Sequence, residues 1–451
     1  VEECDLAPRR THVLIDLSDV LIEKKSIKLP DLRQYINLFR EILAFRNEFL
    51  ATHKEQRAGE SAGEAGASSS SSSSSGVTSA SLRANASTKI EVALLIQLCS
   101  GETEIVTKVE NCLGLLCDEI DTLSEADSAE NSIASNLFTY KKLASASALL
   151  TGRAAQQRTI RIELRRIRQT QGNFRAWEEV YKRWARVSQV IIKGAVDEKG
   201  DHHAGSLKKA IKAAKPSKPA SITPSAAVAL LPPEVLIEWN HYSGFLCAVA
   251  GVCLSQERVV VEQSRKGATE TKVKIIDAFI DELLELLVSN IDVVRETTTE
   301  LLGSTLSPTA YSVLFHHLNA QVKTFFGTAG QINYSPEATT FADQAISVIK
   351  HILELPVDSY TADDLALLTD FEEVITNLMK YVSQLVIKDN PAASFRIKSK
   401  MCACLEAMMQ KHQFISFGNE FQFRHRVVEI VMEWISDFNA AKPGKVYSLS
   451  N

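Results

Sequence analysis

Thiols, imidazoles and one run of arginines are the groups in this sequence that could do chemistry. The cysteines are Cys4, Cys99, Cys112, Cys117, Cys247, Cys253, Cys402 and Cys404. None forms a CxxC pair, and no histidine stands at zinc-finger spacing from any of them, so the pattern offers no zinc site. Most fall in apolar helical runs, where a free cysteine behaves as a small hydrophobe. Free thiols in a reducing intracellular compartment are therefore expected, and disulfides are not. His316 and His317 are adjacent on a helical stretch, where neighbours point about 100° apart and cannot chelate together. They are expected to be one half core and one half surface. His202 and His203 lie in a low-complexity segment without helper ligands. Glu372 and Glu373 read as ordinary exposed helix positions. Arg158, Arg161, Arg165 and Arg168 fall on one helical face, a candidate docking stripe for an acidic partner or lipid headgroups. The competing reading is a solvated helix face. Glu163 within the run and the net charge of -5 argue against nucleic acid. No phosphate loop, dinucleotide fingerprint, nucleophile elbow or HExxH helix occurs, and no nucleophile, base and orienter assemble. No catalytic residue, no cofactor and no metal are expected.

The elements that carry these residues are helical throughout. The 451 residues, 45% hydrophobic and 23% charged, have a globular profile with room for several domains or one continuous array. No signal peptide is expected, and no apolar run is long enough to span a bilayer. The chain starts at Val1, not Met, and is expected to be a piece of a longer protein. Its organising stretch is Trp239 to Leu254, free of acidic and basic residues, which reads as a buried core helix. Ser243, Gly244, Ala248, Ala250 and Gly251 would admit close neighbours there. Elsewhere amphipathic stripes recur. They include Ile105, Val109, Cys112, Leu116 and Ile120, then Trp177, Val180, Tyr181, Trp184, Val187 and Ile191. In the second half Ile276, Phe279, Ile280, Leu283 and Leu287 form another. Ser307-Pro308, Ser335-Pro336 and Asn390-Pro391 mark helix starts, and Thr361 with Asp364 resembles a capping box.

These features predict an all-α chain, an α-solenoid of HEAT/armadillo-like antiparallel helix pairs with two disordered insertions. Residues 1–53 hold the N-terminal helices, and 54–88 form a Ser-rich loop around the run Ser68 to Ser75. Helical repeats fill 89–193, followed by a loop at 194–227 rich in Lys, Ala and Pro. Repeats resume over 228–440, and 441–451 is a tail. Asn290-Ile-Asp-Val-Val294-Arg295 resembles the turn and second-helix start of a HEAT repeat.

Four blocks carry a wider likeness: Ser243 through GFLCAVAGVC to Leu254, Leu306 through SPTAYSVLFHH to Leu318, Phe395 through RIKSKMCACLEAMM to Met409, and Phe421 to Phe438. In order and spacing they resemble the helical segment that precedes the catalytic domain in neurofibromin and the Ira-type Ras GTPase-activating proteins. The likeness covers about residues 236 to 440, and the serine run and Lys-rich insert lean towards a fungal-type member. It implies a parent that accelerates GTP hydrolysis by Ras through an arginine finger supplied in trans. That loop and the FLR-type Ras-binding motif are not in this sequence, and no arginine here inherits the role, Arg153 included. The segment is thus expected to be a non-catalytic scaffold. Its partners would be other parts of the same protein, a second copy in a homodimer, and Ras through the catalytic domain. The implied setting is cytoplasmic, with peripheral recruitment to membranes. The alternative is a helical-repeat adaptor for intracellular transport or assembly, unrelated to Ras.

Overall fold

The computed structural model describes residues 2–23, 27–61, 74–122, 132–146, 152–196, 232–264, 267–328, 330–356, 370–385, 391–415 and 417–440. Two compact units divide at Ser255 and Gln256. The first unit holds α1 (Glu2–Glu23), α2 (Leu29–Ser61), α3 (Ser74–Gln97), α4 (Thr103–Thr122), α5 (Leu137–Ala146), α6 (Arg153–Leu164), α7 (Gln171–Val196) and α8 (Pro233–Ala248). In the second, β1 (Glu257–Ser264) and β2 (Gly267–Lys274) precede α9 (Ile275–Leu286), α10 (Asp292–Glu300) and α11 (Tyr311–Lys323). The unit continues with α12 (Pro336–Glu354), α13 (Phe371–Gln384), α14 (Pro391–Gln410) and α15 (Glu420–Ala440).

Amphipathic stripes decide what is inside. On α9 the side chains of Ile276, Phe279, Ile280 and Leu283 are fully buried, and on α13 so are those of Phe371, Ile375, Leu378 and Val382. Residues at this spacing lie on one face of a 3.6-residue helix, and burying that face is the main source of helical stability. Trp177, Val180 and Trp184 do the same on α7, with Tyr181 stacked between the two indoles at ring distances of 5.2 and 5.7 Å. Ser335 caps α12 as its sequence predicts, accepting from the Ala338 amide at 3.0 Å ahead of Pro336. Ser307-Pro308 differs: it opens a short 3-10 turn, Pro308–Ala310, and α11 begins only at Tyr311.

Helices two places apart pair throughout the second unit, and the neighbours α9 with α10 and α13 with α14 pair as well. α9 packs on α11, α10 on α12, α11 on α13, α12 on α14 and α13 on α15. Each helix thus rests on the one two places along among the described helices. In the first unit α1 packs on α3, α2 on α4 and α6 on α8, with α3 also lying along α7 and α7 along α8.

The structure departs from the sequence reading at three further places. A two-stranded antiparallel hairpin, β1 with β2, interrupts the helices, with Glu257 opposite Lys274 and Ser264 opposite Gly267. Its run Val259-Val-Val261 is β-branched and Thr269, Thr271 and Val273 alternate opposite it, a preference that a search for helical stripes overlooks. Part of the expected Ser-rich loop at 54–88 is helical. α2 runs on to Ser61 and α3 starts at Ser74, since Ala, Glu, Gln and Arg favour helix there and Ala86, Ser87 and Thr88 are buried. The stretch assigned to one block over 228–440 is split, because α8 and the following 3-10 turn, Ala250–Cys253, belong to the first unit. Within Asn290–Arg295 a helix starts at Asp292, and after Glu300 it passes into a π turn at Leu301–Thr305. Most of the 194–227 insertion, the Thr361/Asp364 capping box and the 441–451 tail lie outside the described residues.

Candidate functional site

Helix α8 is anchored by polar bonds as much as by apolar contact. Trp184 Nε1 donates to Ser243 Oγ at 2.8 Å, and Ser243 Oγ donates to the Trp239 carbonyl at 2.7 Å. Trp177 Nε1 donates to the Leu246 carbonyl at 3.1 Å, and Trp239 Nε1 to Ser188 Oγ at 3.1 Å. Three indoles, each with an apolar body and one donor, thereby fix the α7–α8 contact in both rotation and register. Gly244 faces the Arg161 side chain, whose Nη2 donates to the carbonyl and the side-chain oxygen of Asn240 at 2.9 and 3.0 Å. The small residue expected for close approach is used there, while Gly251 is half-buried in the 3-10 turn.

The four arginines of the candidate stripe do not form one solvated row. Arg158 and Arg168 are exposed, Arg161 is half-buried against α8, and Arg165 is buried at 6% exposure. The Arg168 backbone is itself held, its amide donating to Asn136 Oδ1 at 2.7 Å and its carbonyl accepting from Asn136 and Asn173. Helical periodicity places the four on one side of α6 and the turn after it, and packing then divides them. Arg153, the other arginine considered, donates to the Gly101 carbonyl at 3.0 Å.

His316 and His317 sit as expected, the first 72% exposed and the second 16%. His316 Nδ1 lies 3.2 Å from Asp370 Oδ2. His317 reaches across to α9, its Nδ1 2.6 Å from Asp281 Oδ1 and its Nε2 3.4 Å from Asp277 Oδ1. Beside it opens a cleft of about 610 Å³ between α9, α11 and the start of α12. Leu284, Phe325, Ala338 and Phe341 form a buried apolar floor, and Asp281, Glu285 and Glu337 stand on the walls. The carboxylate spacing was visible in the sequence, since Asp277, Asp281 and Glu285 recur every four residues. The missing signal was tertiary: only the fold brings Phe325 and Glu337 opposite them.

Seven described cysteines are free thiols, six of them buried. Burial pushes the thiols of Cys99, Cys112, Cys247 and Cys404 up to about 12, so they stay protonated and unreactive. Among the described residues no group of three or more His, Cys, Asp or Glu is placed to hold a metal ion. No described helix is long and apolar enough to cross a membrane. Two buried titratable groups stand out. Glu110 is raised to about 7 by burial, against the pull of Gln156 Nε2 donating to it at 3.0 Å. His241 is lowered to about 4, by burial first and then by the Arg161 charge.

An exposed apolar row also lies on α15. Phe421, Val428, Met432 and Ile435 are 79%, 59%, 57% and 49% exposed, while Phe423, Val427 and Trp434 bury the other face. One helix with two apolar faces hides the second stripe behind the first, so helical periodicity alone does not set the exposed row apart. No family model matches the chain.

Proposed function

We propose that this chain is a non-catalytic helical scaffold of a neurofibromin-like Ras GTPase-activating protein, a negative regulator of Ras signalling. The observation that carries the reading is the likeness of the four sequence blocks in order and spacing. The residues they contribute are mostly architectural: Leu246, Cys247 and Val252 in the first, Tyr311, Leu314 and Phe315 in the second, Met401, Cys404 and Met408 in the third. The pairing of helices two places apart supports the α-solenoid form of the scaffold, since stacked helix pairs of a solenoid meet in that manner. Catalysis belongs, in this reading, to an arginine finger outside these residues. Partners follow from the same reading: further segments of the parent, a second copy, and Ras through the catalytic domain, in the cytoplasm and at membranes where Ras sits. The test is the coding region beyond Asn451. It should carry an arginine-finger loop and an FLR-type motif; a parent without either would instead be a helical adaptor for transport or assembly.

A further inference from the structure

The cleft beside His317 combines an apolar floor with walls of one sign of charge. Asp277, Asp281 and Glu285 lie four residues apart on α9, an arrangement in which like charges repel each other along the helix. Asp277 is in the first turn, where the helix dipole favours it, but Glu285 is in the last, where the dipole opposes it. From the far wall Glu337 adds another carboxylate. Among the described residues no lysine or arginine lines the cleft, and His317 is the single basic group on its walls. Tyr334, about half exposed, leans on Tyr381 with ring centroids 5.5 Å apart and presents a braced aromatic wall.

We propose that this cleft docks a basic segment of another protein, a peptide with Arg or Lys side chains set between apolar ones. The volume lies within the range of about 300–1,000 Å³ usual for a bound ligand, so it takes one or two anchor side chains, not a whole helix. Of the α9 carboxylates Asp281 and Glu285 line the cleft, about 6 Å apart along the helix at 1.5 Å per residue, and Glu337 faces them from the other wall. Carboxylates on two facing walls suit successive charges of a peptide better than one small cation. An apolar anchor reaches Leu284, Phe325 and Phe341, a guanidinium lies over Tyr334, and its neighbours pair with Asp281, Glu285 and Glu337. The proposal is independent of the Ras reading, since it rests on the cleft's own charge and apolar lining and not on the likeness of the sequence blocks.

Fluorescence anisotropy of the full chain with a labelled octapeptide of alternating Arg and Leu pairs tests it. Saturable binding is expected, weakening with added salt. The triple variant Asp281→Asn, Glu285→Gln, Glu337→Gln should bind about tenfold or more weakly, a difference of 1.4 kcal/mol. Glu429→Gln with Glu433→Gln, which removes exposed charge from α15, should bind like the parent. A peptide with citrulline for arginine should not bind. No saturable binding, an unaffected triple variant, or an equal loss in the α15 variant would overturn the proposal. So would arginine amide competing as well as the peptide, which would make the site one for a small cation. All these substitutions lie at exposed positions, and an unchanged circular dichroism spectrum verifies that each variant is folded.

Discussion

Replacing Gly244 with alanine turns the α6–α8 contact into a question of sign. An added Cβ would stand 2.1 Å from Arg161 Nε and 2.2 Å from its Cζ, far inside contact distance. The guanidinium must leave, and with it go the bonds to the Asn240 carbonyl and side chain. Bonds of a charged donor are each worth about 1.5–3 kcal/mol when buried. Arg161 is only half-buried, so about 2–3 kcal/mol for the two together is the appropriate scale. Alanine inside a helix gains about 1 kcal/mol over glycine. The net expectation is a loss of about 1–2 kcal/mol, where an exposed helical glycine would give a gain of about 1. Urea unfolding followed by tryptophan fluorescence reads this well, since Trp177, Trp184 and Trp239 all lie in the α7–α8 contact. In an Arg161→Ala background the same change should stabilise by about 1 kcal/mol, a coupling of about 2–3 kcal/mol. If Gly244→Ala stabilised the parent chain, or the two changes were additive, the close approach of Arg161 would be refuted.

Three further outcomes are expected. Gly303→Ala should cost about 1–3 kcal/mol by overpacking, because its Cβ would meet His351 Cβ at 2.5 Å and the Val348 carbonyl at 3.1 Å; a thermal melt unchanged from the parent would contradict that contact. Ser243→Ala removes the hydroxyl to which the Trp184 indole N–H donates and should cost about 1–3 kcal/mol, with Trp184→Phe in the same background recovering part of the loss. Glu110, raised to about 7 in the folded chain, carries a cost that is absent below its unfolded value near 4.5 and complete above about 7. Glu110→Gln should therefore stabilise at pH 8, on the order of 1–3 kcal/mol, and the gain should fade as pH falls towards 4.5; a gain independent of pH would show that burial of the charge is not the cause.

Stripes such as Phe371, Ile375, Leu378 and Val382 were legible because a buried helix face writes itself into the sequence at a fixed period. The same period placed four arginines on one side of α6 and its following turn. It could not tell that α8 would cover Arg161 while leaving Arg158 in solvent, since that depends on a helix some 80 positions away, an order of separation that local patterns do not see. The β1–β2 hairpin was missed for the converse reason: its eight-residue strands are too short for a helical period to register as broken. The divide after Ser255 was hidden because the residues around it carry no Gly/Pro linker. Trp239 to Leu254 was read correctly as buried, with Leu246, Cys247, Ala248 and Val249 fully enclosed. Its partners could not be read, because Trp184 and Ser188 meet it only through the fold.

The measurement that bears most directly on the scaffold reading is single-turnover hydrolysis of GTP bound to Ras. With this chain alone added, the rate should equal the intrinsic rate. With the same chain continued past Asn451 through its coding region, it should rise by a factor of about 10³ or more, the scale an arginine finger contributes. Acceleration by the 451-residue chain alone would place catalysis among its own residues, and no acceleration by the extended chain would remove Ras from the account.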